Sequence, residues 1–132
     1  MASRQFFMNQ WTDLQGRVNY AGTVLMHGSD PPTMGEGDPR ESFLTPARAD
    51  VGEYTLTTKD PFAGVYNVQL TALCVATTPV DTCVAVSSVT QNADGTWTIA
   101  FTVSQDGDAI DLADTDGVFY SIDLRNTAEG AP

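Results

Sequence analysis

Positive charge is scarce in this chain. Six Lys and Arg face 17 Asp and Glu, for a formal net charge of −11, and there is a single histidine. Such a surface repels phosphate backbones and anionic headgroups alike, which argues against nucleic acid and membranes as partners. Cysteine is scarce too, and Cys74 and Cys83 alone make no disulfide framework. No apolar run approaches the roughly 18 residues of a membrane span. The apolar residues near the N-terminus are too few and too broken for the core of a signal peptide. The chain is therefore expected to begin near Met1 and to be made in a cytoplasm. An amphipathic helical pattern is also missing, beyond a turn or two that residues 6–15 could form on contact with a partner.

What is present is a β pattern. The 132 residues, 42% of them hydrophobic, fit one globular domain with its own core. A first strand is predicted over 18–26. Residues 28–40 hold three Pro and three Gly, which predicts a long exposed loop. Short strands are then predicted over 42–45, 51–57, 65–74 and 82–89. The Asp94-Gly95 pair predicts a hairpin turn into the strand 96–103. There Trp97, Ile99, Phe101 and Val103 alternate with Thr96, Thr98, Ala100 and Thr102. On the strand 65–74 the same alternation puts Tyr66, Val68, Leu70 and Ala72 on one face. An acidic loop is read from 105 to 117, and a last strand over 118–125. Seven or eight short strands with regular turn signals predict an all-β antiparallel sandwich or jelly roll over residues 18–132.

Residues 1–17 stand apart as an N-terminal arm. Phe6, Phe7, Met8 and Trp11 are apolar there without a clean strand or helix period. Charge divides along the same line. The first 48 residues hold four of the six bases against five acids, while the remainder holds two bases and twelve acids. A near-neutral, aromatic arm beside an acidic domain predicts a partner in another chain, with aromatic anchors and Arg4 and Arg17 as pairing cations. The bland alternative is that these aromatics close the open end of their own sandwich.

Candidate chemistry is thin. His27 has no nucleophile or orienting partner evident in sequence and reads as a surface histidine. No phosphate loop, nucleophile elbow or His/Cys metal spacing occurs. The stretch from Asp106 to Gly117 is dense in carboxylates, but its spacing departs from a calcium loop. It reads equally as a loop that tucks Ile110 and Leu112 under the domain while its carboxylates stay wet. No metal, cofactor or catalytic residue is assigned. Cys74 and Cys83 flank a predicted hairpin loop, leaving two alternatives, a bridge between paired strands or two reduced buried thiols.

The opening Met1-Ala-Ser-Arg-Gln-Phe-Phe-Met-Asn-Gln-Trp11, the Pro/Gly-rich loop, Gly52-Glu-Tyr-Thr-Leu56 and the closing 117–127 segment together resemble small structural proteins of tailed bacteriophages. The resemblance is to head decoration, or cement, proteins and related fibre-base proteins. It implies a trimeric jelly roll similar to the tumour-necrosis-factor fold, and a non-enzymatic virion component on the capsid surface. It implies the major capsid protein as partner and homotrimerisation, with Phe119 or Tyr120 between subunits if the domain's own core cannot take both. Arg4, Phe6, Phe7, Met8, Trp11 and Arg17 would meet the shell. The alternative is a tail or fibre-associated receptor-binding or adaptor domain; a carbohydrate-active enzyme and an extracellular β domain rank below it.

Overall fold

The computed structural model of the chain describes residues 10–14, 16–35, 43–78 and 81–125. Among the described residues ten strands run in order: β1 Gln10–Leu14, β2 Arg17–His27, β3 Asp30–Met34, β4 Leu44–Asp50, β5 Glu53–Thr58, β6 Gly64–Leu73, β7 Thr82–Gln91, β8 Trp97–Gln105, β9 Asp108–Ala109 and β10 Gly117–Arg125. They form two antiparallel sheets. In the first the order is β1-β2-β10-β6, with β3 also on β2. In the second it is β4-β5-β8-β7, with β9 also on β8. The two sheets pack face to face, so the chain is an all-β sandwich.

Period-two patterning builds the core. In β10, Val118, Tyr120, Ile122 and Leu124 point inward, and in β8 so do Ile99, Phe101 and Val103. Tyr54 on β5 stacks on Phe101 with ring centroids 5.5 Å apart. Tyr20 on β2 stacks on Phe43 at 4.6 Å and meets Phe62 edge-on at 5.9 Å. Aromatic contacts thus stitch the inner faces together.

Tyr120 is one of the core residues, only 4% exposed. It pairs with Gly22 across the β2–β10 ladder, and a Cβ at Gly22 would lie 2.9 Å from the Tyr120 hydroxyl. Glycine is what lets the ring lie back over β2. Of the two residues weighed for a subunit contact, the core takes Tyr120 and leaves Phe119, 45% exposed, outside.

Several boundaries differ from the sequence reading. Residues 10–14 are not a free arm but strand β1, paired to β2 with Trp11 opposite Asn19. Within the stretch 6–15, read as at most a helical turn or two on contact with a partner, residues 10–14 are strand here. Arg4, Phe6, Phe7 and Met8 lie outside the described residues. The predicted 28–40 loop contains β3, whose Pro31 and Pro32 are tolerated because it is an edge strand. β1 and β3 lie end to end along the same edge of β2, since β10 occupies the other. The acidic loop begins as a tight hairpin. Asp106 and Gly107 have φ of 53° and 84°, the double left-handed turn that suits twisted strands, and β9 pairs back onto β8.

Tyr66 also departs from expectation. A bulge in the β6–β10 register at this point turns both Tyr66 and Asn67 outward, while Val65, Val68 and Leu70 pack on the core. Truncation of a fully buried stacked ring tests the core. Phe101→Ala is expected to cost about 4 kcal/mol, read as a lower urea midpoint with little change in slope.

Candidate functional site

Three aspartates are held by internal donors. Asp116 is completely buried. Its Oδ1 accepts the backbone N–H groups of Val75, Ala76 and Thr77 at 2.7, 2.7 and 3.2 Å. Its Oδ2 accepts the Ala113 N–H at 2.9 Å and the Thr77 hydroxyl. Burial alone would push this carboxyl up, but the Thr77, Ala76 and Val75 donors prevail and hold it below the usual range. Asp111 takes a bidentate pair from Arg48 at 3.1 and 2.8 Å, the Gly52 N–H at 3.0 Å and the Tyr54 hydroxyl at 2.9 Å. The Arg48 guanidinium is the main reason its carboxyl lies low. Asp123 accepts from Asn19 at 2.6 Å and from Arg17 at 3.0 Å, which outweigh its partial burial.

These contacts change the reading of the acidic loop. Leu112 is buried as expected, but Asp111 and Asp116 are not wet: their oxygens are spent on the fold. Among the described residues no group of three or more His, Cys, Asp and Glu is arranged to hold a metal. Arg17, expected to meet a partner's carboxylate, is already paired with Asp123 and lies 5.9 Å from the Tyr66 ring centroid.

His27 does have partners. Nδ1 lies 2.8 Å from Asp114 Oδ1, and Nε2 lies 2.8 Å from Thr33 Oγ1. A carboxylate can only accept, so Nδ1 carries the proton. The trio has the order of a nucleophile relay, but Asp114 is 79% exposed and water competes for it. A relay of this kind depends on a buried orienting carboxylate and on donors aimed at an oxyanion. Here the bonds tie β2, β3 and the 110–116 loop at one end of the sandwich.

The two cysteines are free. Their strands do not form the hairpin that a bridge would require. β6 pairs with β10 and β7 with β8, so the chain between Cys74 and Cys83 crosses from one sheet to the other.

That crossover creates the most distinctive surface. β6 and β7 are the edges of their respective sheets and lie beside each other along one flank; β3 and β4 meet on the opposite flank. Between Asp60 and Asp94 the only charged residue is Asp81, so both edge strands are wholly uncharged in a chain of net charge −11. The sheets do not close here. A cleft of about 330 Å³ opens between Val65, Tyr66, Asn67 and Val68 on β6 and Val86 and Val89 on β7. Tyr66 is 60% exposed, Val86 39% and Val89 40%. Leu73 and Val75 are exposed on the same run, and Phe119 sits next to β6, opposite Thr71. Of the large exposed hydrophobics among the described residues, Val51 alone lies elsewhere. The outer face of the second sheet carries Thr45, Thr57, Thr98 and Thr90 in register across its four strands, with Glu53 opposite Thr102 on the same face.

No family model, curated protein or solved structure matches the chain. The sequence reading took 49–132 as one acidic stretch of two bases and twelve acids and missed the uncharged flank within it. The signal was the length of the charge-free run, hidden by totals taken over a longer window.

The paired aspartates carry a pH dependence. Their folded values lie below the unfolded one, so their stabilisation is complete above about pH 4 and is lost as pH falls through the folded values. Asp116→Asn would present an amide N–H₂ to N–H donors. It is expected to cost about 3 kcal/mol at neutral pH. Urea titrations at pH 7 and pH 3 should show that the variant loses less stability on acidification than the parent protein.

Proposed function

We propose that this chain is a non-enzymatic structural component of a virion, a decoration protein bound to the outer surface of a tailed-phage capsid. In this reading its partner is the major capsid protein and it acts as a homotrimer. The observation that carries the proposal is the uncharged flank. Exposed apolar groups gathered along one flank of a very acidic chain mark a surface made to be covered by protein. An assembly subunit has such a surface, and its acidic remainder faces solvent and keeps it colloidally stable.

Strand order supports the finer fold assignment, a jelly roll similar to the tumour-necrosis-factor type. The chain passes from β2 in the first sheet to β4 and β5 in the second, back to β6 and over again to β7. It leaves β8 for β10 by a further crossing. Three facing pairs, β2-β10-β6 over β5-β8-β7, are the arrangement that successive crossings give in a jelly roll. Three copies placed around a three-fold axis would match the three-fold sites of a shell.

Labelling intact particles with an antibody to this chain tests the assignment. Label over the head is expected. Label confined to the tail tip would favour the receptor-binding or adaptor alternative, and unlabelled particles would end the virion reading. The arm is tested separately. Deleting residues 2–9 spares all of the described strands; a folded domain, checked by circular dichroism, is expected to bind shells at least about tenfold more weakly, the loss of one good aromatic anchor.

A further inference from the structure

We infer that the β6–β7 flank is the surface through which copies of this chain bind one another, with Tyr66 of one copy seated against the Val65, Val68, Val86 and Val89 cleft of the next. The inference rests on the assembly-subunit reading and names the partner for the flank.

Three observations select a second copy. The first is charge. Two chains of net charge −11 repel through most of their surfaces, and like charges brought together in an interface cost several kcal/mol. The flank is the long surface on which that repulsion is absent, since β6 and β7 carry no charge. Asp123, across from Asn67 on β6, is neutralised by Arg17, and Asp81 in the crossover is the one charge left between the two edge strands. A basic partner would gain nothing from this side of the molecule.

The second is self-complementarity. The same flank presents Tyr66, 60% exposed, as one wall of an open apolar cleft whose other wall is Val86 and Val89. It also offers the uncharged hydrogen-bonding groups of Asn67 and Gln69. A knob and a hole on one surface let identical copies meet, in pairs or around a common axis. Tyrosine is also among the residues that dominate interface energetics, because it covers apolar area while keeping a polar tip.

The third is the shape of the two edges. β6 is bulged at Tyr66, and the β7 register skips Ser87 between Val86 and Ser88. Bulges twist an edge away from continuous strand addition. Copies therefore meet by side-chain packing, which can close, rather than by open-ended extension of a sheet.

The test is the double substitution Tyr66→Asp and Val89→Asp, made on the full chain. Both residues are substantially exposed, so the fold should survive, and circular dichroism checks this. Sedimentation equilibrium at micromolar concentrations should find the parent protein associated and the double variant weakened by at least about 100-fold. Val51→Asp, on the exposed apolar residue away from the flank, should associate like the parent. A parent protein that is monomeric at these concentrations, or a folded double variant with undiminished association, would overturn the inference. Shell binding separates this failure from failure of the functional reading. If the parent is monomeric and the double variant loses binding to shells, the flank docks on the capsid protein instead. Self-association is then refuted and the decoration role stands.

Discussion

Burying a carboxylate costs several kcal/mol unless its lone pairs are met by donors, and Asp116 meets five of them. Three come from the backbone of Val75, Ala76 and Thr77, where the chain leaves β6. Asp116 reaches further through its own backbone, whose carbonyl accepts the Met26 N–H at the end of β2. One residue therefore fixes the exit of β6, the 110–116 loop and β2 against each other. The residue before it, Thr115, is held at a φ of 76°, a conformation that β-branched side chains rarely adopt. The surrounding bonds outweigh that preference. Without them the crossover from β6 to β7 would have no defined path, and the flank would have no defined shape.

Asp111 does the corresponding work on the second sheet. Its contacts with Arg48, Gly52 and Tyr54 bind the loop to β4 and to the β4–β5 turn. The density of acid in this part of the chain thus has two origins. Some carboxylates are structural anchors with full donor sets, and others, such as Asp106, Asp108 and Asp114, face water. Composition alone does not separate the two, because the separation depends on donors that arrive from other strands.

The regular strands were legible. Alternation in 97–103 and 118–124 gave the correct inner faces because the extra residues at the two bulges lie in β6 and β7, leaving β8 and β10 with an unshifted period. Tyr66 was misplaced because a bulge shifts the period by one, and nothing in Val65-Tyr66-Asn67-Val68 announces it. The Asp106-Gly107 turn had the same dipeptide signal as Asp94-Gly95, but the surrounding charge drew attention toward a cation instead. Cys74 and Cys83 suggested a hairpin because short connections usually join paired strands; here the connection changes sheets. β1 was invisible because its pairing partner, β2, supplies the order that its own sequence lacks. The uncharged flank was readable in principle, since it is nearly continuous in sequence from Pro61 to Ala93.

The ladder between β2 and β10 joins residues 92 to 108 positions apart, from Leu25 with Gly117 to Arg17 with Arg125. β10 is also the strand on which β6 hangs. During synthesis, β6 and β7 emerge well before β10 and cannot be set side by side until it arrives. Folding that waits on so distant a pairing is slow compared with helical proteins. It also imposes an order of events, in which the β6–β7 flank takes its shape only after β10 has been made. Topology would in this way serve as a timer against premature assembly.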